Sequence, residues 1–438
     1  MLVSNLVVIP EGEPQLVTPP CPTPSEVLGL SNLDSQSFLR FTIEYIFVYK
    51  APEGEDDHEA AIERLRNGLS RALAYYYPLA GRLRSRHDHK LEVLCNAQGA
   101  VFVRARANLT LNEFGTLHKP ANSWKKLLHK VAAPDGFLGI PPLVVQVTRL
   151  RCGALIICAG LSHSVCDGLG SAQFLQAWSE MSRGSKCPSI TPIWDRHLLQ
   201  SRRLEIQNSS CDLPEFTEVP DLCNLGSRLR SEQLVASSVC FERSDLLEMK
   251  TLVTLHSHSK CTSFEVLSAH VWRSWVRAMD LPAKQRIKLL FSVNVRARLE
   301  PGLPEGFYGN GFVLGCAETS VKELTEKPVW HAVKVVQRAK EILRDEYIRS
   351  IVDALGDSRR RPHLTGSLVI SQWSRLGLMD VDFGWGRALH VGHLSSDIYC
   401  IFLPLDPQGQ AVNVVLSVPR SAYAKYEYYM RNISNNLL

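Results

Sequence analysis

The chain has 438 residues, 45% hydrophobic and 21% charged, so it exceeds a usual single domain and carries ample apolar material for two cores. Forty-nine basic residues against 44 acidic ones leave a net charge of +5, too slight at this length to identify a partner, although a local basic patch would suit a phosphate-bearing ligand. Twelve scattered cysteines form no C-x-x-C pair, no apolar run reaches about 18 residues, and the N-terminus lacks a basic-then-apolar leader; the chain therefore reads as soluble, reduced and cytoplasmic, with no disulfide framework.

In chain order, the proline-rich PPCPTPSEV is extended and Phe41–Tyr49, rich in β-formers, is a strand. After the acidic turn Glu53–Asp57, Ile62, Leu65, Leu69 and Leu73 recur at helical spacing over His58–Tyr75, giving a helix that packs on a sheet. Leu91–Cys95 and Val101–Val103 are expected to pair as a hairpin around Asn96–Gly99. Leu143–Leu150 and Ala154–Leu161 are expected to form a second hairpin, joined by Arg151-Cys152-Gly153. The second hairpin delivers His163. A helix follows from Gly168 to about Arg183, on the pattern Leu169, Phe174, Leu175, Trp178, Met181. Residues 184–226 lose all period and gain prolines and serines, as an interdomain crossover would. Beyond them come a strand from Leu234, helices over Leu246–Leu255 and within Cys261–Ala278, and a strand over Leu289–Val295. No internal repeat is visible.

Chemistry concentrates in His163-Ser164-Val165-Cys166-Asp167-Gly168. A histidine at a strand end, held by a sharp turn into a helix, is well placed to take a proton from an attacking hydroxyl and return it to a leaving group, since imidazole titrates near pH ~6.5. Gly168 would admit the unusual backbone angles of that turn. Asp167 would either orient the ring or lock the turn by pairing with a distant arginine, and the sequence does not separate the two. Taken alone, the stretch is equally a strand end whose aspartate caps the next helix.

His163 to Gly168 (H-x-x-x-D-G) together with Asp382-Phe383-Gly384-Trp385-Gly386 (D-F-G-W-G), in this order and separation, resemble the paired signatures of the plant BAHD acyl-CoA-dependent acyltransferases. Tyr76–Arg82 and PGLPEGFYGN, with Pro301, Pro304, Gly306, Gly309 and Asn310, extend the resemblance over nearly the whole chain. It implies an α/β fold of two chloramphenicol-acetyltransferase-like domains, each a mixed β-sheet with flanking helices: residues 1–183 with H-x-x-x-D-G, a crossover at 184–226, and residues 227–438 with D-F-G-W-G. It also implies an active-site channel between the domains, reached by coenzyme A and acceptor from opposite faces, and walled in part by the segment leading into the strand at Phe41.

For the site, the resemblance implies His163 as general base and Arg296, of Asn294-Val295-Arg296, as the partner of Asp167. It makes Asp382, Gly384, Trp385 and Gly386 structural, and Ser371, in Ser371-Gln372-Trp373, an oxyanion donor. Lys260, with Thr262 or Ser263 capping the next helix, is an anion site for coenzyme A or simply a capped core helix beside a solvated lysine.

Competing chemistries fare less well. No G-x-S-x-G elbow surrounds His163, the pairs His87/His89 and His256/His258 lack further ligands for a metal, and Gly168-x-Gly170 and Gly384-x-Gly386 do not continue to a dinucleotide fingerprint. The expectation is an acyl-CoA co-substrate with no bound cofactor and no metal, acting on an alcohol, in a monomer. The stretches PTPSEVLGLSNLDSQSFLRF, HSVCDG, TPIWDR and WSRLGLMDVDFGWG look closest to the branch of alcohol acyltransferases, benzyl alcohol benzoyltransferases and taxane acyltransferases, favouring an acetyl or benzoyl donor. A hydroxycinnamoyl donor, with O- or N-transfer, is the alternative, and a silent ligand- or partner-binding relative stands outside the class.

Overall fold

The computed structural model describes residues 6–50, 58–88, 90–114, 117, 122–132, 136–202, 213–357, 359–394 and 399–433; the acidic turn at 53–57 and His89 lie outside them. In chain order the first half comprises β1 (Val8–Pro10), β2 (Gln15–Val17), β3 (Glu26–Gly29), β4 (Thr42–Tyr49), α1 (His58–Tyr75), β5 (Arg82–Ser85), β6 (Leu91–Cys95), β7 (Ala100–Ala107), β8 (Leu143–Arg149), β9 (Leu155–Ser162) and α2 (Gly168–Ser182). The second half comprises α3 (Leu225–Ser231), β10 (Leu234–Phe241), α4 (Arg243–Ser257), α5 (Ser263–Ala278), β11 (Arg286–Asn294), β12 (Phe312–Ser320), α6 (Val321–Glu326), α7 (Val329–Glu341), α8 (Asp345–Ala354), β13 (Ser367–Gln372), β14 (His390–His393), β15 (Tyr399–Pro404), β16 (Val412–Pro419) and α9 (Tyr423–Arg431).

These strands form two large mixed sheets and one small antiparallel sheet. The first large sheet runs β1-β7-β8-β9-β4-β14, with β2 also on β7; the second runs β10-β16-β15-β13-β11-β12; the small one runs β3-β6-β5. Each large sheet mixes parallel pairs, β7 with β8 and β13 with β11 and β15, into antiparallel neighbours. Every residue of β9 is buried, as its unbroken apolar sequence requires of a central strand.

Two expectations need correction. Leu91–Cys95 and Val101–Val103 are strands but not a hairpin: β6 pairs with β3 and β5, whereas β7 joins the large sheet beside β8. In β6 the residues alternate between buried and half-buried, as suits a small sheet with one covered face. β7 opens with four buried residues in a row, as suits the large sheet's interior. The division at residue 227 also fails to describe sheet membership. After D-F-G-W-G the chain crosses back, and β14 completes the first sheet on β4, with His390 opposite Val48 and His393 opposite Tyr45. The first core accordingly takes in Tyr308, Trp373, Phe383 and Val391 from the second half.

The crossover is partly interior as well. Ile193 makes a parallel bridge to Phe307, and Arg196 is buried.

Candidate active site

His163 is the first residue past β9. Its N–H donates to the Phe41 carbonyl (2.9 Å), which extends the β4–β9 register by one step, and its own carbonyl accepts from the Asn310 side-chain amide (2.7 Å). The ring packs edge-on against Phe41, with centroids 5.1 Å apart, and tilted against Phe312 at 5.8 Å; Phe41 in turn stacks on Tyr399 at 5.7 Å. Burial lowers the imidazole pKa below its ordinary value, opposed by its own backbone carbonyl, Asp167, Asn310 and Asp34. At neutral pH the ring is therefore uncharged, the form a base requires.

Asp167 is the N-cap of α2. Oδ1 accepts from Gly170 N (2.9 Å) and Arg296 Nη2 (3.0 Å), and Oδ2 from Arg296 Nη1 (2.8 Å) and Gly311 N (2.9 Å). Four donors fill the carboxylate's lone pairs. Of the two roles open to it from sequence, this arrangement is the lock on the turn, not the orienting of the ring. Burial pushes the carboxyl up, but the Arg296 charge and these hydrogen bonds outweigh it and hold Asp167 below the usual carboxylate range. Gly311 is required here: a Cβ on it would lie 2.6 Å from Arg296 Nη1. Gly168 behaves otherwise than expected. It is the first helical residue and has no left-handed φ, because Asp167 in its extended capping conformation turns the chain.

A second buried ion pair lies behind His163, unforeseen from sequence. Arg196 Nη1 meets Asp34 Oδ2 at 2.5 Å, with the side chains 2% and 0% exposed. Ser31 donates to the same oxygen through N (2.9 Å) and Oγ (2.7 Å). Asp34 Oδ1 takes Asn310 N (2.9 Å) and Nδ2 (2.8 Å), and Arg196 Nη2 reaches the Val165 carbonyl at 2.8 Å. Both residues stand in stretches that carry the branch resemblance, LSNLD and IWDR, but nothing in either stretch names the other as partner.

Ser371, next to last in β13, is half-buried, and its Oγ accepts from the Trp373 indole at 3.2 Å; that indole stacks on Tyr45 with centroids 4.8 Å apart. With one lone pair spent on the indole, the serine hydroxyl keeps its hydrogen free to donate.

D-F-G-W-G is a clamp at the far end of α2. Asp382 Oδ1 accepts from Gly384 N (2.7 Å) and Gly386 N (2.9 Å), while Arg183, just past α2, donates to the Asp382 carbonyl. Gly384, at φ +105°, holds a conformation other residues resist. Phe383 is buried against Trp178 (4.7 Å) and Tyr49 (5.9 Å), and Trp385 meets Tyr49 at 5.9 Å. The 15-residue α2 separates this turn from Asp167 by about 22 Å.

The model of a family described as Transferase matches residues 11–432. The chain belongs to the Transferase family. It is thus one of the BAHD acyltransferases, and an acyl-CoA-dependent O-acyltransferase. Among curated relatives, the omega-hydroxypalmitate O-feruloyl transferase of Arabidopsis thaliana is 37% identical over 94% of this chain and 90% of its own. The benzyl alcohol O-benzoyltransferase of Petunia hybrida is 37% identical over 87% and 82%, and alcohol acyl transferase 1, allele GSa, of Malus domestica is 34% identical over 96% and 93%. Among solved structures, vinorine synthase superposes with a TM-score of 0.76 at 23% identity over 96% of each chain. The TRI101 of F. sporotrichioides, solved with coenzyme A and T-2, does so with 0.74 at 17% identity over 92% and 97%. Two chloramphenicol-acetyltransferase-like units of mixed sheet and helix are the shared fold.

In this BAHD chain Lys260, Thr262 and Ser263, the residues expected at an anion site, lie at the start of α5. Thr262 caps the helix, its Oγ1 accepting from Glu265 N (3.3 Å) and its N–H donating to Glu265 Oε2 (2.9 Å), and Glu265 is ion-paired with Lys340. Sequence suggested Thr262 or Ser263 as cap; Thr262 is the cap, and its polar groups are spent on the helix. Lys260 is exposed and Ser263 partly so. Among the described residues no group of three or more His, Cys, Asp or Glu side chains could hold a metal ion, and no helix is long and apolar enough to cross a membrane.

Proposed function

We propose that this chain moves an acyl group from acyl-CoA onto a neutral, largely apolar alcohol of plant specialised metabolism, with acetyl and benzoyl donors favoured and His163 as the general base. The observation that carries it is a half-buried imidazole at a strand end, its pKa lowered so that the ring is uncharged at neutral pH, walled by Phe41, Phe312 and, beyond Phe41, Tyr399. Such a wall favours an alcohol over an amine, because a protonated amine would lose its hydration there without an opposite charge.

The imidazole takes the hydroxyl proton as the oxygen attacks the thioester carbonyl. A tetrahedral intermediate forms, its oxyanion receiving the Ser371 hydroxyl, whose orientation Trp373 sets. The intermediate collapses by breaking the carbon–sulfur bond, and the imidazolium returns its proton to the departing thiolate. The ester and free coenzyme A are the products, and no acyl-enzyme forms. Asp167 and Arg296 fix the turn, and Asp382, Gly384, Trp385 and Gly386 fix the far end of α2. Lys260 and Ser263 face solvent where a coenzyme A phosphate is placed in this reading. The reaction runs in a channel between the halves of a single chain.

Hydroxycinnamoyl donors are the second reading. They are favoured by the feruloyl transferase of Arabidopsis thaliana and by its fatty alcohol:caffeoyl-CoA acyltransferase, 33% identical over 97% of this chain and 98% of its own. The test is release of coenzyme A thiol from acetyl-, benzoyl- and feruloyl-CoA against benzyl, short-chain and long-chain alcohols, with His163→Ala alongside. Acceptor-dependent release that disappears in the variant supports the reading and names the donor. Release that survives in His163→Ala removes His163 as base, and a folded parent inert with every pair leaves a ligand-binding relative.

A further inference from the structure

The Asp34–Arg196 pair is buried almost completely, and such a pair adds little net stability, because desolvation offsets most of the attraction. Its geometry points to another use. Neither partner is hydrogen-bonded to the His163 ring, yet each reaches the backbone that carries it. Arg196 Nη2 holds the Val165 carbonyl (2.8 Å), and Asn310, bridging from Asp34 Oδ1, holds the His163 carbonyl (2.7 Å). From the same segment as Asp34, the Phe41 carbonyl takes the His163 N–H (2.9 Å) and the Leu39 carbonyl takes Ser164 Oγ (3.3 Å). Ser31, Arg196 and Asn310, from three stretches far apart in sequence, thus meet on the Asp34 carboxylate. The close packing leaves no slack: a Cβ on Gly309 would lie 3.0 Å from Arg196 Cζ.

We propose that Asp34, acting through Arg196 and Asn310, is a positioning residue that fixes the backbone of His163 and with it the direction of the imidazole during proton transfer. Asp167 with Arg296 anchors the far end of the turn at the start of α2, and Asp34, through Asn310 on His163 and Arg196 on Val165, anchors its beginning. The proposal rests on His163 being the base. It predicts an effect on kcat and little on KM, since Asp34 and Asn310 act on the histidine and not on substrate.

The charged groups around His163 are Asp34 from the leading segment, Asp167 at the start of α2, Arg196 from the crossover and Arg296 from the second half. Replacing Asp34 by asparagine removes one negative neighbour and leaves Arg196 unbalanced. Both changes disfavour the imidazolium, so the acidic limb of kcat/KM moves to lower pH while the plateau falls.

The experiment compares Asp34→Asn, Asn310→Ala, their double variant and His163→Ala in the thiol-release assay from pH 5 to 9, with the folded fraction of each taken from its thermal melt. Asn310→Ala keeps the ion pair and the backbone N–H to Asp34, and deletes only the amide bridge. Expected are losses in kcat of about 10- to 100-fold in each single variant with KM within about twofold. The double variant is expected to be less than additive, and the limb to move to lower pH in both single variants, since Asn310 and Asp34 each hold the imidazole pKa up. A parental kcat per folded molecule and an unmoved limb in both single variants, with His163→Ala inactive, would overturn the positioning role alone. Activity surviving in His163→Ala would overturn the base on which it rests.

Discussion

A histidine works as a base at neutral pH only if it is uncharged before the alcohol arrives, and at His163 burial among Phe41 and Phe312 secures this. The folded pKa lies below the ordinary 6.5, so kcat/KM should rise with pH through a limb below that value and then level off, a profile that thiol release across pH 4.5 to 8 would record. An acidic limb above pH 6.5 would contradict a depressed imidazole. Asp167 titrates in the opposite sense. Its folded pKa is held below 3.8, so its stabilising contribution is complete above the unfolded value and disappears as pH falls through the folded one. Asp167→Asn leaves the Arg296 guanidinium in a buried site without its counter-charge, and should cost about 3–5 kcal/mol in urea unfolding. A cost under about 1 kcal/mol would mean that water reaches the arginine.

At the scale of elements, helix termini divide the work. The α2 N-terminus is satisfied by a carboxylate that is itself tied to the other half, so the helix start, the histidine turn and the Arg296 loop are bonded to one side chain. At α5 the Thr262–Glu265 capping box closes the first turn internally, and Lys340 neutralises the glutamate. What remains for a phosphate there is the exposed Lys260 ammonium, a point charge on a flexible stem. Lys260→Ala should therefore raise KM for acyl-CoA about 3- to 10-fold with kcat unchanged, and the increase should shrink in high salt, as initial-rate kinetics at two ionic strengths would reveal. An unchanged KM would move the phosphate elsewhere.

Over the whole molecule the halves are interlocked, not merely apposed. β14 supplies the outer strand of the first sheet, and Trp373, Phe383 and Val391 lie in the first core. A fragment covering residues 1–226 would leave the β4 edge bare and part of its core open to water. Expressed alone, it should aggregate or lack a cooperative melt, whereas co-expression with residues 227–438 should restore a soluble complex, read by size-exclusion chromatography and near-ultraviolet circular dichroism. A fragment melting cooperatively by itself would show that β14 is dispensable. The site shares this dependence, since Asp167, His163 and Asp34 come from the first half, and Arg296, Asn310 and Phe312 from the second.

The amino-acid sequence by itself determined most of the elements, because strands and helices follow local periodicity: α1, β4, β8, β9 and α2 lie within a residue or two of where their apolar patterns put them. It also made His163 and Asp167 legible, through two short motifs whose joint occurrence is specific, and pointed to Arg296 through the resemblance those motifs carry. Pairing was decided elsewhere. Whether β6 takes β7 or β3 as neighbour, and whether residues 390–393 stay with their own half, depends on which faces can be buried together, and local pattern is silent on that. Only the tertiary structure joined Asp34 to Arg196, 162 positions away, and to Asn310, 276 away. Each is an unremarkable polar residue in its own stretch, and becomes part of a site because burial leaves a charge no solvent and obliges it to find a partner wherever the fold brings one.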